Sequence, residues 1–318
     1  MAYPLAFERD ITGPRQVTFK NQKLVLWRGK KGVVAQPDSC PHRAAKLSDG
    51  RVVDNRLECP YHGWRFNESG KCTKIPQLLP GKKKPGACNL KNIDICSYDG
   101  IIWTGDKLPV VTAFEKEYNS YFITDKSYYL PFSYQLQIEN LLDPAHLHFV
   151  HDGFQGNRSR ACPIKLVRFH ENEKEIYGYF AHLDDVTPDI SMLFTKPGVV
   201  DVSVINKDSK KLFRKNVIYV SPGDEGNCNV LFRDIAMDKV LGFYEKTIFA
   251  RGVVESNYKT VNKTVIDLIT DQDVKAIKGQ MENRAAMTRY TMPAECDRMI
   301  VAFRRWLKNQ DKPQTKVI

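Results

Sequence analysis

Two short stretches carry a thiol and an imidazole each. Cys40-Pro41-His42 is followed, after sixteen residues, by Cys59-Pro60-Tyr61-His62. Thiolates and imidazoles on two loop tips at this spacing can converge on metal. Zinc sites usually pair like with like, two cysteines from one loop and two histidines from the other. Here each loop offers one of each, which suits a two-iron, two-sulfide cluster with both thiolates on one iron and both imidazoles on the other. Exchanging two thiolates for neutral imidazoles removes negative charge and raises the reduction potential, so such a centre accepts an electron readily. Pro41, Pro60, Tyr61 and Gly63 are expected to shape the turns.

A second constellation lies in "QIENLLDPAHLHFVHDG", with Glu139, Asp143, His146, His148 and His151 inside thirteen positions. Two imidazoles and one carboxylate on one face of ferrous iron leave coordination positions open, as dioxygen chemistry beside a substrate requires. Helical spacing alone pairs His148 with His151, three apart, while His146 and His151 lie about 140° apart around an ideal helix. Asp143-Pro144 suits a helix N-cap followed by proline at the first helical position, so the helix is not expected to run through unbroken. A bulge or unwound turn there would bring His146 and His151 together. The carboxylate must come from elsewhere. "DLITDQDVKAIKGQ" offers Asp267, Asp271 and Asp273, which equally suit a solvated helix face.

The elements that must hold these residues follow from pattern. The first third reads as β: Val17–Phe19, Leu24–Trp27 and Val33–Ala35 alternate with Gly, Asn and Asp turns, and "CSYDGIIWTGD" adds a strand. A domain boundary is placed near Lys107, giving units 1–107 and 108–318. Helix is predicted around Gln135–His151, then antiparallel strands in "KLVRFHENEKEIYGYFAHL", "VVDVSVI", "KLFRKNVIYVSPG" and "CNVLFRDIAM". Apolar residues spaced by three and four predict a long helix from about Ser256 to Thr288, and "CDRMIVAFRRWLKN" a last one. The tail after it is expected to fray. The fold class is α+β: an all-β domain, then a large antiparallel sheet with flanking helices.

Composition narrows the function. A chain of 318 residues can bury a sizeable core in two domains. No apolar run approaches the roughly eighteen residues of a spanning helix. The start, "MAYPLAFERDI", has no signal-peptide core, which points to the cytoplasm, or to a plastid stroma if a leader has been removed. Eight cysteines are too sparse for a disulfide scaffold, and the six outside the two loops are read as reduced structural thiols. The net charge of +11 concentrates in runs such as "GKKKPG" at 81–86, expected on solvated loops or a docking face for an acidic protein. No zinc-finger, helix-turn-helix or RNA-binding signature accompanies it, so nucleic acid is not an expected partner.

"CPHR…CPYHGWRF" resembles the Rieske motif of the non-haem iron oxygenases, with Gly63-Trp64 after the second histidine in that family's form. The segment from Glu139 resembles the family pattern Glu/Asp-x3-Asp-x2-His-x4-His. The resemblance implies a [2Fe-2S] cluster on Cys40, His42, Cys59 and His62, and a mononuclear ferrous iron on His146 and His151. "QDVKAI" is similar to the segment that supplies the family's carboxylate ligand, which implies Asp273, with Asp271 as the alternative. His148 is then a packing or substrate-facing residue.

On that resemblance Asp143 is expected to take the family's bridging role, hydrogen-bonding a cluster histidine of a neighbouring subunit and carrying electrons between subunits, which implies a homotrimer. "NLLDPAHLHFVHDG" and "CDRMIVAFRRWL" resemble the branch of pheophorbide a oxygenase, chlorophyllide a oxygenase and Tic55-like proteins. That branch implies a helix-grip catalytic domain and dioxygen-dependent hydroxylation or oxidative cleavage of a cyclic substrate, a tetrapyrrole such as pheophorbide a among them. Plant members of the branch carry a C-terminal membrane segment, often after Cys-x-x-Cys, and the sequence to Ile318 shows neither. Soluble bacterial relatives act on other ring systems, which brings demethylation and aromatic or alkaloid substrates into range. No Gly-x-Gly-x-x-Gly follows a strand, so the electrons are expected from a separate ferredoxin or ferredoxin reductase.

Two rivals stand beside this: a Rieske electron-transfer protein without oxygenase chemistry, and a zinc-bearing binding module. For a cavity, Phe154, Phe180, Phe194, Phe232 and Tyr244 are candidate lining residues, each also suited to the core.

Overall fold

The computed structural model describes residues 2–105, 121–154, 156–237, 251–284, 286 and 290–310, with side chains from 123 in the strand opening at 121 and from 260 in the long helix. The chain forms two compact units, Met1–Phe114 with Ser221–Asn229 and Glu115–Val220 with Val230–Ile318. The boundary expected near Lys107, the tail and Tyr244 lie outside the described residues.

The first unit is built from short antiparallel strands: β1 (Pro4–Phe7), β2 (Arg15–Phe19), β3 (Gln22–Arg28), β4 (Val33–Pro37), β5 (Arg51–Val53), β6 (Arg56–Glu58), β7 (Arg65–Phe66), β8 (Cys72–Lys74), β9 (Ile95–Tyr98) and β10 (Ile101–Thr104). They make sheets of order β1-β10-β9, β2-β3-β4 and β5-β6-β7-β8. Turn chemistry sets the pairing. Lys20-Asn21, Asp54-Asn55 and Asp99-Gly100 all have positive φ and link directly paired strand ends. Two left-handed residues in a two-residue loop give the hairpin turn whose twist matches the strands.

The second unit holds a seven-stranded antiparallel sheet of β11 (Tyr121–Leu130), β12 (Ile164–Glu171), β13 (Glu175–His182), β14 (Asp189–Thr195), β15 (Val199–Ile205), β16 (Leu212–Pro222) and β17 (Cys228–Met237), in the order β11-β17-β16-β15-β14-β13-β12. Among the described residues, four α-helices accompany it: α1 (Tyr134–Leu141), α2 (Leu147–Val150), α3 (Arg251–Arg284) and α4 (Arg298–Gln310). On β13 every second residue is buried, the mark of a sheet with one covered face. Phe303 of α4 packs edge-on to Phe194 of β14, ring centroids 5.2 Å apart, and Trp306 adds a second edge contact at 5.5 Å.

The helix expected over 135–151 is two helices. Ser133 caps α1, its hydroxyl accepting from Leu136 N–H, and α1 ends at Leu141. Pro144 lacks an N–H and disfavours helical backbone at residue 143. The Asp143 carboxylate accepts from Ala145 N–H at 2.8 Å across the break, and α2 restarts as one turn from Leu147. The long helix, expected from about Ser256 to Thr288, is described over Arg251–Arg284.

Candidate metal centres

In the first unit both loops have the same backbone. Ala44 N–H donates to Cys40 C=O and Gly63 N–H to Cys59 C=O, at 2.8 and 3.1 Å. Cys40 N–H donates to Ala45 C=O and Cys59 N–H to Trp64 C=O, at 2.9 and 2.8 Å. The fifth residue counted from each cysteine is left-handed, Ala44 at φ 55° and Gly63 at φ 68°. The turns tuck both thiols into a core with Leu47, Leu57, Trp64 and Phe66, and each cysteine is 2% exposed. The imidazoles stand at the edge: His42 and His62 have ring centroids 4.6 Å apart, and His42 stacks on Trp64 at 4.7 Å. Gln77 donates to the His62 carbonyl and steadies the second loop.

Burial pushes the Cys40 thiol up to about 11, opposed by the His42 N–H and reinforced by Cys59 beside it. Partial burial, then the charges of His42 and Arg43, hold His62 below its ordinary value. Two adjacent buried thiols and two adjacent imidazoles form a pair of pairs. Among the described residues, three ligand atoms come within 4.8 Å of one another only at His146, His151 and Asp273. A single zinc needs four ligand atoms about one point, whereas a cluster with one iron per pair matches the loops. All eight cysteines are free, so no disulfide braces them.

The second unit supplies that convergent triad. His146 and His151 flank the single turn of α2, with ring centroids 5.2 Å apart. Asp273 comes from α3, its Oδ1 3.2 Å from His151 Nε2 and 3.7 Å from His146 Nε2. That oxygen is buried yet makes no hydrogen bond. A buried carboxylate oxygen facing two imidazole nitrogens without bonding either is an orphan that a divalent cation between them would satisfy. The outer nitrogens are engaged: His146 Nδ1 lies 2.6 Å from the Asp143 carbonyl, and His151 Nδ1 lies 2.9 Å from Gln272 Oε1. Both Nδ1 atoms face oxygen acceptors and therefore donate, which leaves each Nε2 turned toward Asp273. Burial pushes His151 toward its neutral form, but Asp273 and Gln272 outweigh it and hold the imidazole above its usual pKa.

The other candidates have different surroundings. Asp267 is taken by Lys126, at 2.6 Å, and by the Tyr128 hydroxyl, while Asp271 is exposed. Asp143 Oδ2 stands 3.8 Å from His146 Nδ1, its side chain 31% exposed. Glu139 is buried and gripped by Arg304 of α4, at 2.9 and 2.5 Å, with Gln135 at 2.6 Å. That joins the helix before the triad to α4.

A cavity of about 320 Å³ opens beside the triad, bounded by His146, His151, Asp273 and the covered face of the sheet. Its walls are mainly apolar: Ile190, Met192, Val202, Val204, Ile218 and Phe232. Of the aromatic candidates, Phe154 and Phe232 line it, whereas Phe180 and Phe194 are fully buried in the core. Residue types alone did not single out His182, which also lines it. His182 Nδ1 bonds the Pro188 carbonyl at 2.9 Å, and its ring lies edge-on to buried His148, centroids 5.6 Å apart. Burial lowers the His182 pKa, with His148 adding to the effect. Gln272 was missed for its own role as well, since only packing brings it to a histidine 121 positions away.

Comparison with known proteins gives this architecture relatives. Residues 1–93 match the Rieske [2Fe-2S] domain and residues 132–207 the vanillate O-demethylase oxygenase C-terminal domain. The chain is 35% identical over 176 residues to Arabidopsis thaliana protein TIC 55, covering 51% of this chain and 32% of that one. It is 28% identical over 344 residues to pheophorbide a oxygenase of Oryza sativa subsp. japonica, covering 96% and 64%. To methylxanthine N1-demethylase NdmA of Pseudomonas putida it is 26% identical over 309 residues, covering 93% and 82%. A solved structure of an NdmA mutant with theobromine superposes with a TM-score of 0.74 at 23% identity, over 96% of this chain and 89% of that one. The chain thus spans between a third and two thirds of the length of these plastid relatives.

Proposed function

The chain belongs to the Rieske non-haem iron oxygenase family, and from that premise we propose that it uses dioxygen and externally supplied electrons to hydroxylate or oxidatively cleave a cyclic organic substrate. The observation that carries this is the convergent His146–His151–Asp273 triad, with its unbonded buried carboxylate oxygen, at the wall of an apolar cavity. In this reading Cys40, Cys59, His42 and His62 hold one [2Fe-2S] cluster per chain, and the triad holds one ferrous ion. A ferrous ion with open coordination positions supplies dioxygen binding and activation next to the substrate.

The chain's own residues do the rest. The buried thiols of Cys40 and Cys59 give up their protons to bind metal, so cluster loading is coupled to folding of the two loops. His42 and His62, at the edge of that core, are the path by which an electron enters or leaves. Asp143, with one carboxylate oxygen held by Ala145 N–H and part of its surface accessible, is suited to receive a cluster histidine of a second subunit in a homotrimer. The apolar walls keep water from the reacting position and press a flat ring toward the triad. A separate ferredoxin or ferredoxin reductase, docking on the basic surface, supplies the electrons. The expected site of action is the cytoplasm, or the plastid stroma if a leader has been removed, the second supported by the relatives named chloroplastic. Among the described residues no helix is long and apolar enough to cross a membrane.

A tetrapyrrole such as pheophorbide a is the substrate named by one group of relatives. Removal of a methyl group from a smaller ring is the second reading. The cavity favours it, because about 320 Å³ is at the lower end of small-molecule pockets. The test is oxygen uptake and product mass with reduced ferredoxin and its reductase, offering pheophorbide a and a methylxanthine in parallel. Substrate-dependent uptake that disappears in His146→Ala supports the reading. Uptake indifferent to His146 sinks it, and the identity of the oxidised ring decides between the two substrate classes.

A further inference from the structure

An imidazole that binds metal through one nitrogen needs its other N–H held, because that bond fixes the tautomer, the ring orientation and the donor strength. The two histidines of the triad meet this need differently. His146 Nδ1 faces a backbone carbonyl, that of Asp143, at 2.6 Å. No side-chain substitution removes that acceptor. His151 Nδ1 faces a side chain, Gln272 Oε1, at 2.9 Å. The His151 side chain is 1% exposed, so water cannot stand in for the amide. Gln272 directly precedes Asp273 on α3. One stretch of helix therefore grips the His151 ring from both sides, an amide at Nδ1 and a carboxylate oxygen 3.2 Å from Nε2.

We propose that Gln272 is a positioning residue that sets the ligand strength of His151 and thereby the affinity of the triad for ferrous iron. This rests on the metal-centre reading above. The amide is a neutral acceptor: it fixes the tautomer without adding negative charge. Asp273 is then the one anionic ligand of the triad, and the bound ferrous centre keeps a net positive charge. A carboxylate at position 272 would polarise the imidazole further and strengthen it as a donor, while an aliphatic side chain would leave a buried N–H with no partner.

The experiment uses the full chain with its cluster intact and the mononuclear metal removed by chelation. Fe(II) is titrated anaerobically by equilibrium dialysis, and Co(II) serves as a redox-inert second probe. Gln272→Leu is expected to weaken metal binding roughly 10- to 100-fold. Gln272→Glu, which keeps an acceptor, is expected to hold or tighten it. The cluster absorption and the thermal unfolding profile report whether each variant is folded; should the Leu variant fail, Gln272→Met replaces it. Binding by the Leu or Met variant within about twofold of the unsubstituted protein would overturn the proposal. So would a Glu variant as weak as the Leu variant, because an acceptor facing His151 Nδ1 would then not be what sustains the affinity. A chain that binds neither Fe(II) nor Co(II), with His151→Ala making no difference, would instead remove the metal-centre reading itself.

Discussion

In the first unit the candidate ligands sit on two loops of one shape, with their cysteines nineteen positions apart and every supporting backbone bond local. In the second unit two ligands flank one helical turn and the third arrives from a helix 122 positions further along. The loops carry their own geometry: proline, a left-handed residue and two backbone bonds in each. The triad has no such autonomy, and depends on a helix break at Pro144, on α3 lying against it and on Arg304 anchoring Glu139. Local sequence can therefore hold the first centre together, while the second exists only in the packed unit.

The largest effect should come from the loops. Cys59→Ser is expected to abolish the cluster, bleaching the protein and reducing oxygen-coupled turnover to background, as measured by visible absorption and oxygen uptake. The triad should fail separately. Asp273→Ala or His146→Ala should leave the cluster spectrum intact yet lower turnover by more than the roughly 100-fold typical of losing an outer partner of a metal ligand. A variant that loses both signals together would break the contrast between an autonomous loop pair and a dependent triad.

Anchoring comes next in size. Arg304→Met leaves the Glu139 carboxylate buried with only Gln135, and should cost roughly 2–4 kcal/mol in denaturant unfolding of the second unit. The partial exposure of the guanidinium, 24%, places the loss toward the lower figure. The smallest effects probe the matching of the two loops. Gly63→Ala puts a Cβ at φ 68° and 3.3 Å from Pro76 Cγ, a cost of about 1–2 kcal/mol. Ala44→Gly relieves the same strain in the first loop, but the freer unfolded chain offsets part of it, so a net gain below about 1 kcal/mol is expected. Equal and opposite responses at these two positions would show the loops to be interchangeable.

The sequence disclosed these regions unequally, for the same physical reason. Asn, Asp and Gly turns and short β-rich runs announce the first unit, and Cys-Pro beside His announces its loops, because each signal is confined to a few residues. The sheet of the second unit is legible in alternation. Its triad is not, since spacing on an ideal helix prefers His148 over His146. Only the likeness to a family pattern singled out His146, and Pro144 supplies the physical reason that the spacing argument fails. Periodicity does not choose among Asp267, Asp271 and Asp273: the first two share a helix face, and the third lies about 160° around from Asp271. What distinguishes them is that Lys126 and Tyr128 occupy the first, solvent the second and two imidazoles the third. Gln272 and His182 acquire roles only through contacts that span the unit. The grouping of Ser221–Asn229 with the first unit has no sequence signal either: Lys20 and Asn21 N–H donate to Pro222 and Gly223 carbonyls.

One chain is expected to carry two different iron centres. Iron, zinc and acid-labile sulfide should be measured in anaerobically purified protein and in its Asp273→Ala variant. About three irons and two sulfides per chain are expected, with one iron lost and both sulfides kept in the variant. Zinc without sulfide, or an iron content that Asp273→Ala leaves unchanged, would contradict that expectation.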